Sequence, residues 1–303
     1  MPVLADDAAC NGPFDALPAR CSVQVEQWTV RYKRPRPSPL AAGKRARGRW
    51  RLARVGAGTP QGMTSIAHQS VAELGGEWSI LNRQRRDHVR LDELLHQLEG
   101  SEGQEQRAVL REINRLVFPH AFAEESVLWP ALRRILPGDE GERLTLQVEQ
   151  EHQEVNHLVV QLDSEEPSEE ERRPVIERLI EVLREDVRDE EDELLPRLQE
   201  LVPPAQLRAL GLAWEAVRRT APTRPHPTVA RRPPGNALAG LPLTVIDRSR
   251  DVLDRGAERS TVPTARRLRG LSQALAGIAG RVERVGVMRV GEDPSTSVDD
   301  PRA

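Results

Sequence analysis

The chain has 303 residues, 3% of them aromatic and 30% charged, with 24 prolines and a net charge of −3. That balance, rich in Leu, Arg and Glu, favours a helical protein over a sheet-rich one, and the length allows one large domain or two small ones. Charge is unevenly divided: residues 1–62 carry +7 and the remainder −10, and an acidic body argues against nucleic acid as the main ligand. Cys10 and Cys21 are the only cysteines, which excludes a disulfide framework or a zinc-thiolate site in the body and fits a reduced, cytoplasmic protein. No run of about 18 apolar residues occurs, and residues 1–30 lack a basic start followed by an apolar core, so neither a membrane span nor a secretory signal is expected.

In chain order, residues 1–75 read as a basic, Pro- and Gly-rich disordered extension. Trp28, Tyr32 and Trp50 among its basic residues leave an RNA- or membrane-surface arm as the alternative, and Met63 is an alternative start. From Trp78 to Glu99 the pattern is helical: Ser79 can cap, Leu81, Leu91, Leu95 and Leu98 form a stripe that includes His88, and Gly100 ends it. A second helix is expected from Gln104 to about Leu128, bent just before His120 by Pro119, which removes a backbone hydrogen bond. Leu136-Pro137-Gly138-Asp139 is a loop. A third helix, about Glu142 to Leu162, turns Val148, His152, Val155, Val159 and Leu162 inward. After the acidic loop Ser164 to Ser168, where Ser168 and Glu171 have the spacing of a capping box, a fourth helix runs to Leu195.

Four helices joined by short loops predict an all-α, up-down-up-down four-helix bundle over residues 76–202. Residues 203–303 read as a helical tail: a short helix over 205–219, a basic Pro-rich connector over 221–236, and amphipathic segments over about 237–255 and 263–285. They are expected to pack on the bundle or on a second copy of the chain, with a partner or a membrane surface as the alternative.

One frame occurs twice within the bundle. His120 stands four residues before Glu124, one turn along the same helix face. Further on, Asp186, Glu190, Glu191, Pro196 and Leu198 fall where His120, Glu124, Glu125, Pro130 and Leu132 fell. Taken singly, His88, His120 and His152 are each more often hydrogen-bonded core residues than ligands, and the acidic run Glu185 to Glu193 is more often a solvated face. Together they place a candidate ligand on every helix. Carboxylates turned into a bundle need compensation, which cations supply. Imidazole with carboxylate suits iron or manganese, and a cysteine-free set disfavours iron-sulfur clusters and structural zinc. Three histidines and three carboxylates exceed what one ion usually takes; two ions bridged by Glu124 and Glu190 would use them all.

The motifs Asp87-His88, His120-x-x-x-Glu124-Glu125 with Leu128-Trp129-Pro130, Glu151-His152, and Glu190-Glu191 with Leu195-Pro196 resemble the hemerythrin HHE cation-binding domain over about residues 78–200. The tail from Trp214 through Arg231-Arg232-Pro-Pro-Gly-Asn is similar to that of actinobacterial members. The resemblance implies a four-helix bundle holding a non-haem di-iron centre, with iron oxo- or carboxylate-bridged and manganese as the alternative. The ligands would be His88, His120, Glu124, His152, Asp186 and Glu190, and the small partner O2, H2O2 or NO.

Two departures from the family stand out. It normally has histidine where this chain has Asp186, and often tyrosine where it has Trp129. A carboxylate at 186 makes the site harder and more negative, which should stabilise ferric iron and weaken reversible oxygen carriage. Alternatively Asp186 is too short to reach, the second metal is weak or absent, and Asp189 substitutes. Asn156 occupies the position of a further histidine in oxygen-carrying hemerythrins. Glu149, in a Glu-x-x-His pair with His152, is a reserve ligand. His157 is expected to face solvent, and Glu125, His96, His68 and His226 to be outer-layer or surface residues. The expected function is sensing or detoxifying oxidants, through a peroxide- or oxygen-reactive di-iron oxidoreductase if the chain is an enzyme. The rival is a mono-metal or metal-free scaffold whose C-terminal helices recruit a partner, with a homo-oligomer through those helices as a further candidate.

Overall fold

A computed structural model describes residues 64–163 and 168–297. The expectations for Cys10, Cys21, Trp28, Tyr32, Trp50, Met63 and the acidic loop over 164–167 lie outside these residues. Helix is the only regular secondary structure among those described, as the composition led one to expect. The long helices of the bundle are α1 (Ile80–Glu99), α2 (Gly103–Ala123), α4 (Glu140–Asp163) and α5 (Glu169–Asp189). Their ends follow the sequence signals. Leu81 N–H donates to Ser79 Oγ at 3.3 Å and Gly100 caps the far end of α1, while Ser168 and Glu171 form the capping box that starts α5.

The second and fourth helices differ from the expected unbroken rods. Pro119 sits inside a continuous α2. The irregularity falls later, in a wide π-helical turn over Glu124–Leu128, followed by the short α3 (Trp129–Ile135). The same device follows α5: a π-helical turn over Glu190–Leu194, then α6 (Leu195–Leu201). In both, the N–H ahead of a proline reaches back five residues, Trp129 to the Glu124 carbonyl and Leu195 to the Glu190 carbonyl. The physical reason lies one residue on. Pro130 and Pro196 have no N–H for the carbonyls of Ser126 and Asp192, so the turn ahead is free to widen.

The core has two layers. One gathers Leu91, Leu95, Ile113, Val159, Leu179 and Val182; the other gathers Leu81, Leu128, Trp129, Leu132, Leu195 and Leu198. On every long helix the histidine or carboxylate of interest falls between residues of the two layers. Residues 64–79, most of them assigned to the extension by pattern, are built into the second layer: Ile66 and Leu74 are fully buried there, and Gln69 Nε2 donates to Gln199 Oε1 at 2.9 Å. Two isolated apolar residues carry no helical period, which is why periodicity passes over them.

The described residues, 64–163 and 168–297, belong to one compact unit. In the tail, α7 (Pro204–Arg219) lies against α1 and α2, with Trp214 fully buried and Glu215 paired to Arg83 at 3.0 Å. Gly211 permits this approach, because a Cβ there would run into the Trp78 carbonyl. Beyond the connector, α8 (Gly235–Glu258) and α9 (Val262–Glu283) pack on each other, and Gly240 of α8 comes close to Phe122 of α2. No helix among the described residues is long and apolar enough to cross a membrane.

Candidate metal centre

The six residues singled out by spacing are all buried, His120 being the most exposed at 9%. They meet in two donor groups. His88, His120, Glu124 and Glu190 each place one donor atom within 4.8 Å of the others, and His152, Asp186 and Glu190 do the same. Glu190 belongs to both groups. Glu124 spans them with its two oxygens, Oε1 at 2.9 Å from His120 Nε2 and Oε2 at 3.6 Å from His152 Nε2. His88 Nε2 lies 3.2 Å from Glu190 Oε2, and His152 Nε2 lies 3.5 Å from Asp186 Oδ1. Asp186 therefore reaches the cluster, and the substitute weighed for it does not. Asp189 points aside and accepts a hydrogen bond from Gln147.

Each imidazole presents Nε2 to the centre and turns Nδ1 to a carboxylate on another segment. His88 pairs with Glu191 at 2.8 Å, His152 with Glu125 at 3.0 Å and His120 with Asp87 at 3.3 Å. Such outer carboxylates fix the ring orientation and raise the donor strength of the opposite nitrogen. The π-helical turns give the Glu-Glu pairs their division of labour: Glu124 and Glu190 face the donors, while their neighbours Glu125 and Glu191 each reach a histidine of a different helix.

Burial disfavours an imidazolium at each histidine, but the surrounding carboxylates outweigh it, holding His88 well above its usual range and His120 and His152 up at about 10. Burial would also raise Asp87, yet His120 and Arg218 keep it low and ionised. Burial and the Glu190 charge push Glu124 up, whereas His88 overcomes burial to hold Glu190 down. Burial, reinforced by Glu190 and Glu124 and opposed by His152, lifts the Asp186 carboxyl to about 8. Any cation entering here must displace protons from the histidines.

Glu149, His157 and His226 depart from expectation. Glu149, the reserve ligand, is fully buried but held by Arg133 and by Arg232 Nε at 2.8 Å; two guanidiniums occupy its oxygens. His157 is half-buried, and burial with the nearby Arg231 lowers its pKa, because the tail covers this side of α4. His226 is a buried hub, with Nε2 3.0 Å from Asp247 and Nδ1 2.8 Å from Glu283. Asn156 turns from the centre to the tail, where its Oδ1 accepts from His226 N–H at 3.2 Å. His68 and His96 are exposed. Sequence reasoning missed Trp214, whose ring stands edge-on to His120 at 5.3 Å; its signal was a tryptophan on the buried stripe of α7.

Both oxygens of Glu124 and of Glu190, and Asp186 Oδ1, are buried without a hydrogen bond of acceptable geometry. Their near neighbours are the Nε2 atoms of His88, His120 and His152 at ion-pair distance, so nitrogen and oxygen donors crowd the same space. Buried carboxylates in that state are costly unless a cation satisfies them. Nitrogen and oxygen donors without sulfur match iron or manganese, and the residues present fit a metal centre.

Comparison with known proteins agrees with this geometry. Residues 79–198 match the model of the Hemerythrin HHE cation binding domain. The chain is also 26% identical over 136 residues to an uncharacterized hemerythrin-like protein of Schizosaccharomyces pombe, a match covering 45% of this chain and 66% of that relative, just under two thirds of its length. No solved structure matches. Over residues 79–198, then, the chain is similar to the hemerythrin HHE cation-binding domain.

Proposed function

We propose that this chain is a hemerythrin-like non-haem di-iron protein that reacts with or senses O2, peroxide or nitric oxide. His88, His120, Glu124, His152, Asp186 and Glu190 are its ligands, residues 76–202 its metal-binding unit and the cytoplasm its location. The observation that carries this reading is the pair of buried donor groups sharing Glu190, with five carboxylate oxygens left without hydrogen bonds. The kinship with hemerythrin-like proteins supports it. Bound iron would supply a redox couple and a coordination position for the small ligand.

The chain's own residues do the rest. A cavity of about 20 Å³ touches His88, His120, His152 and Asp186 and is walled by Leu91, Val117, Ala121 and Leu183. It suits one water-sized molecule, and its aliphatic wall favours a neutral ligand over an anion. The Asp186 carboxyl, lifted to about 8 while the centre holds no cation, would release its proton on binding iron. Asp87, Glu125 and Glu191 keep the three imidazoles aimed inward throughout.

Anaerobic loading with ferrous iron, followed by O2 or peroxide, tests the proposal. Roughly two irons per chain and a new visible band are expected; no uptake, or uptake unchanged in His120→Ala, would leave only the scaffold reading. A second observation bears on partners. Leu271, Ile278 and Val285 are exposed at seven-residue intervals along and just beyond α9, a spacing that suits helix pairing. We assign a second copy of the chain as its partner. Light scattering should then report a dimer that Ile278→Asp converts to a monomer, and a monomeric wild type would refute it.

A further inference from the structure

Two arginines of the tail, beyond the matched domain, stand behind the histidines of the centre. Arg218 Nη1 of α7 lies 3.7 Å from Asp87 Oδ2, the oxygen that faces His120 Nδ1. Arg231 Nη1 of the connector lies 3.6 Å from Glu125 Oε1, the oxygen that faces His152 Nδ1. Neither guanidinium is loosely placed. Arg218 pairs with Glu215 at 3.0 Å and stacks 5.2 Å from the Trp214 ring. Arg231 is buried and donates to the carbonyls of His226 at 3.0 Å and Val229 at 3.3 Å. Glu191, behind His88, has no arginine partner among the described residues. One arginine thus backs one histidine of each donor group, His120 in the first and His152 in the second.

We propose that Arg218 and Arg231 are positioning residues by which the tail sets how tightly the two cation points hold metal, one arginine to each point. This rests on the metal-centre reading above. A carboxylate that accepts from Nδ1–H strengthens Nε2 as a donor. A guanidinium on the same carboxylate draws off part of that charge, and its own fixed positive charge repels the cation. Both effects have one sign: each arginine loosens its point and favours the lower oxidation state of the ion. The two are separable because the relays do not cross. The first point, with two imidazoles and two carboxylates, fills first; the second, with one imidazole, follows.

The test is calorimetric titration of the full chain with manganous or anaerobic ferrous ion, with the midpoint potential of the iron form as a second readout. Wild type should load in two steps. Arg218→Met should tighten the first step by roughly tenfold and leave the second in place, while Arg231→Met should tighten only the second; each should lower the midpoint potential. Arg218→Lys and Arg231→Lys keep the charge and should stay near wild type. Should Arg231→Met fail to fold, Arg231→Gln against Arg231→Lys makes the same comparison. Two wild-type steps that the charge-removing variants leave unmoved, or move together, overturn this proposal alone, as do lysine variants that behave like the methionine ones. A wild-type chain that takes up no metal overturns the metal-centre reading itself, and this proposal with it.

Discussion

The two halves of the centre share a frame but differ in what faces them. In the first, α2 delivers His120 and the π-helical turn delivers Glu124; His120 is matched by Asp87, an imidazole against a carboxylate at 3.3 Å. In the second, α5 delivers Asp186 and the corresponding turn Glu190, and the acid preceding His152 is Glu151. There a carboxyl senses a carboxyl: burial and then the charge of Asp186 push Glu151 up to about 8, as Asp186 itself is raised to about 8. One exchange of imidazole for carboxylate turns a balanced pair into one that holds a proton at neutral pH. The first donor group offers two imidazoles, and the second offers one imidazole and a carboxyl that must lose a proton before it can hold a cation.

Substitutions that break or equalise the halves should rank accordingly. The largest effect is expected from His120→Ala. Changes to the layer behind a ligand already cost about 10- to 100-fold in metal affinity, so losing the ligand should cost more than about 100-fold at the first point, read by metal titration. Next is Trp129→Leu, which copies Leu195 of the second half into the first. Trp129 is fully buried, and the cavity left should cost about 2–3 kcal/mol in urea unfolding. Asp186→His makes the second half imitate the first. It should tighten the second loading step by about tenfold and return Glu151 toward the ordinary carboxylate range, which carboxyl NMR titration would follow.

The smallest effect belongs to a group that serves neither half directly. His226, raised to about 9 by Asp247 and Glu283 against burial, ties the connector to α8 and α9. Its folded pKa exceeds the unfolded value of about 6.5. The stability it contributes is therefore complete below about pH 6.5 and lost as pH rises through about 9. Thermal melts of the metal-free protein should show a loss of stability over that window, smaller in His226→Gln, where the raised His120 and His152 remain.

Much of this centre was legible in the sequence because its information is local. His120 and Glu124 lie one helical turn apart, and the repeat of that spacing at Asp186 and Glu190 marks two elements of one site. The caps Ser79 and Ser168 and the aliphatic stripes fixed the helices with no tertiary knowledge. The π-helical turns were not legible, since periodicity over five residues hardly distinguishes a wide turn from an α-turn; their one local signal is the prolines at 130 and 196, whereas Pro119 leaves α2 unbroken. The roles of Trp214, Arg218, Arg231 and His226 depend on contacts between residues far apart in the chain, which neither spacing nor propensity encodes.

Anomalous diffraction at the iron edge from crystals of the iron-loaded chain tests the central claim most directly. The account predicts two peaks on either side of the Glu190 carboxylate, one beside His88, His120 and Glu124 and the other beside His152 and Asp186. A single peak, or iron on the outer acids of the 185–193 run with these six side chains empty, would contradict it.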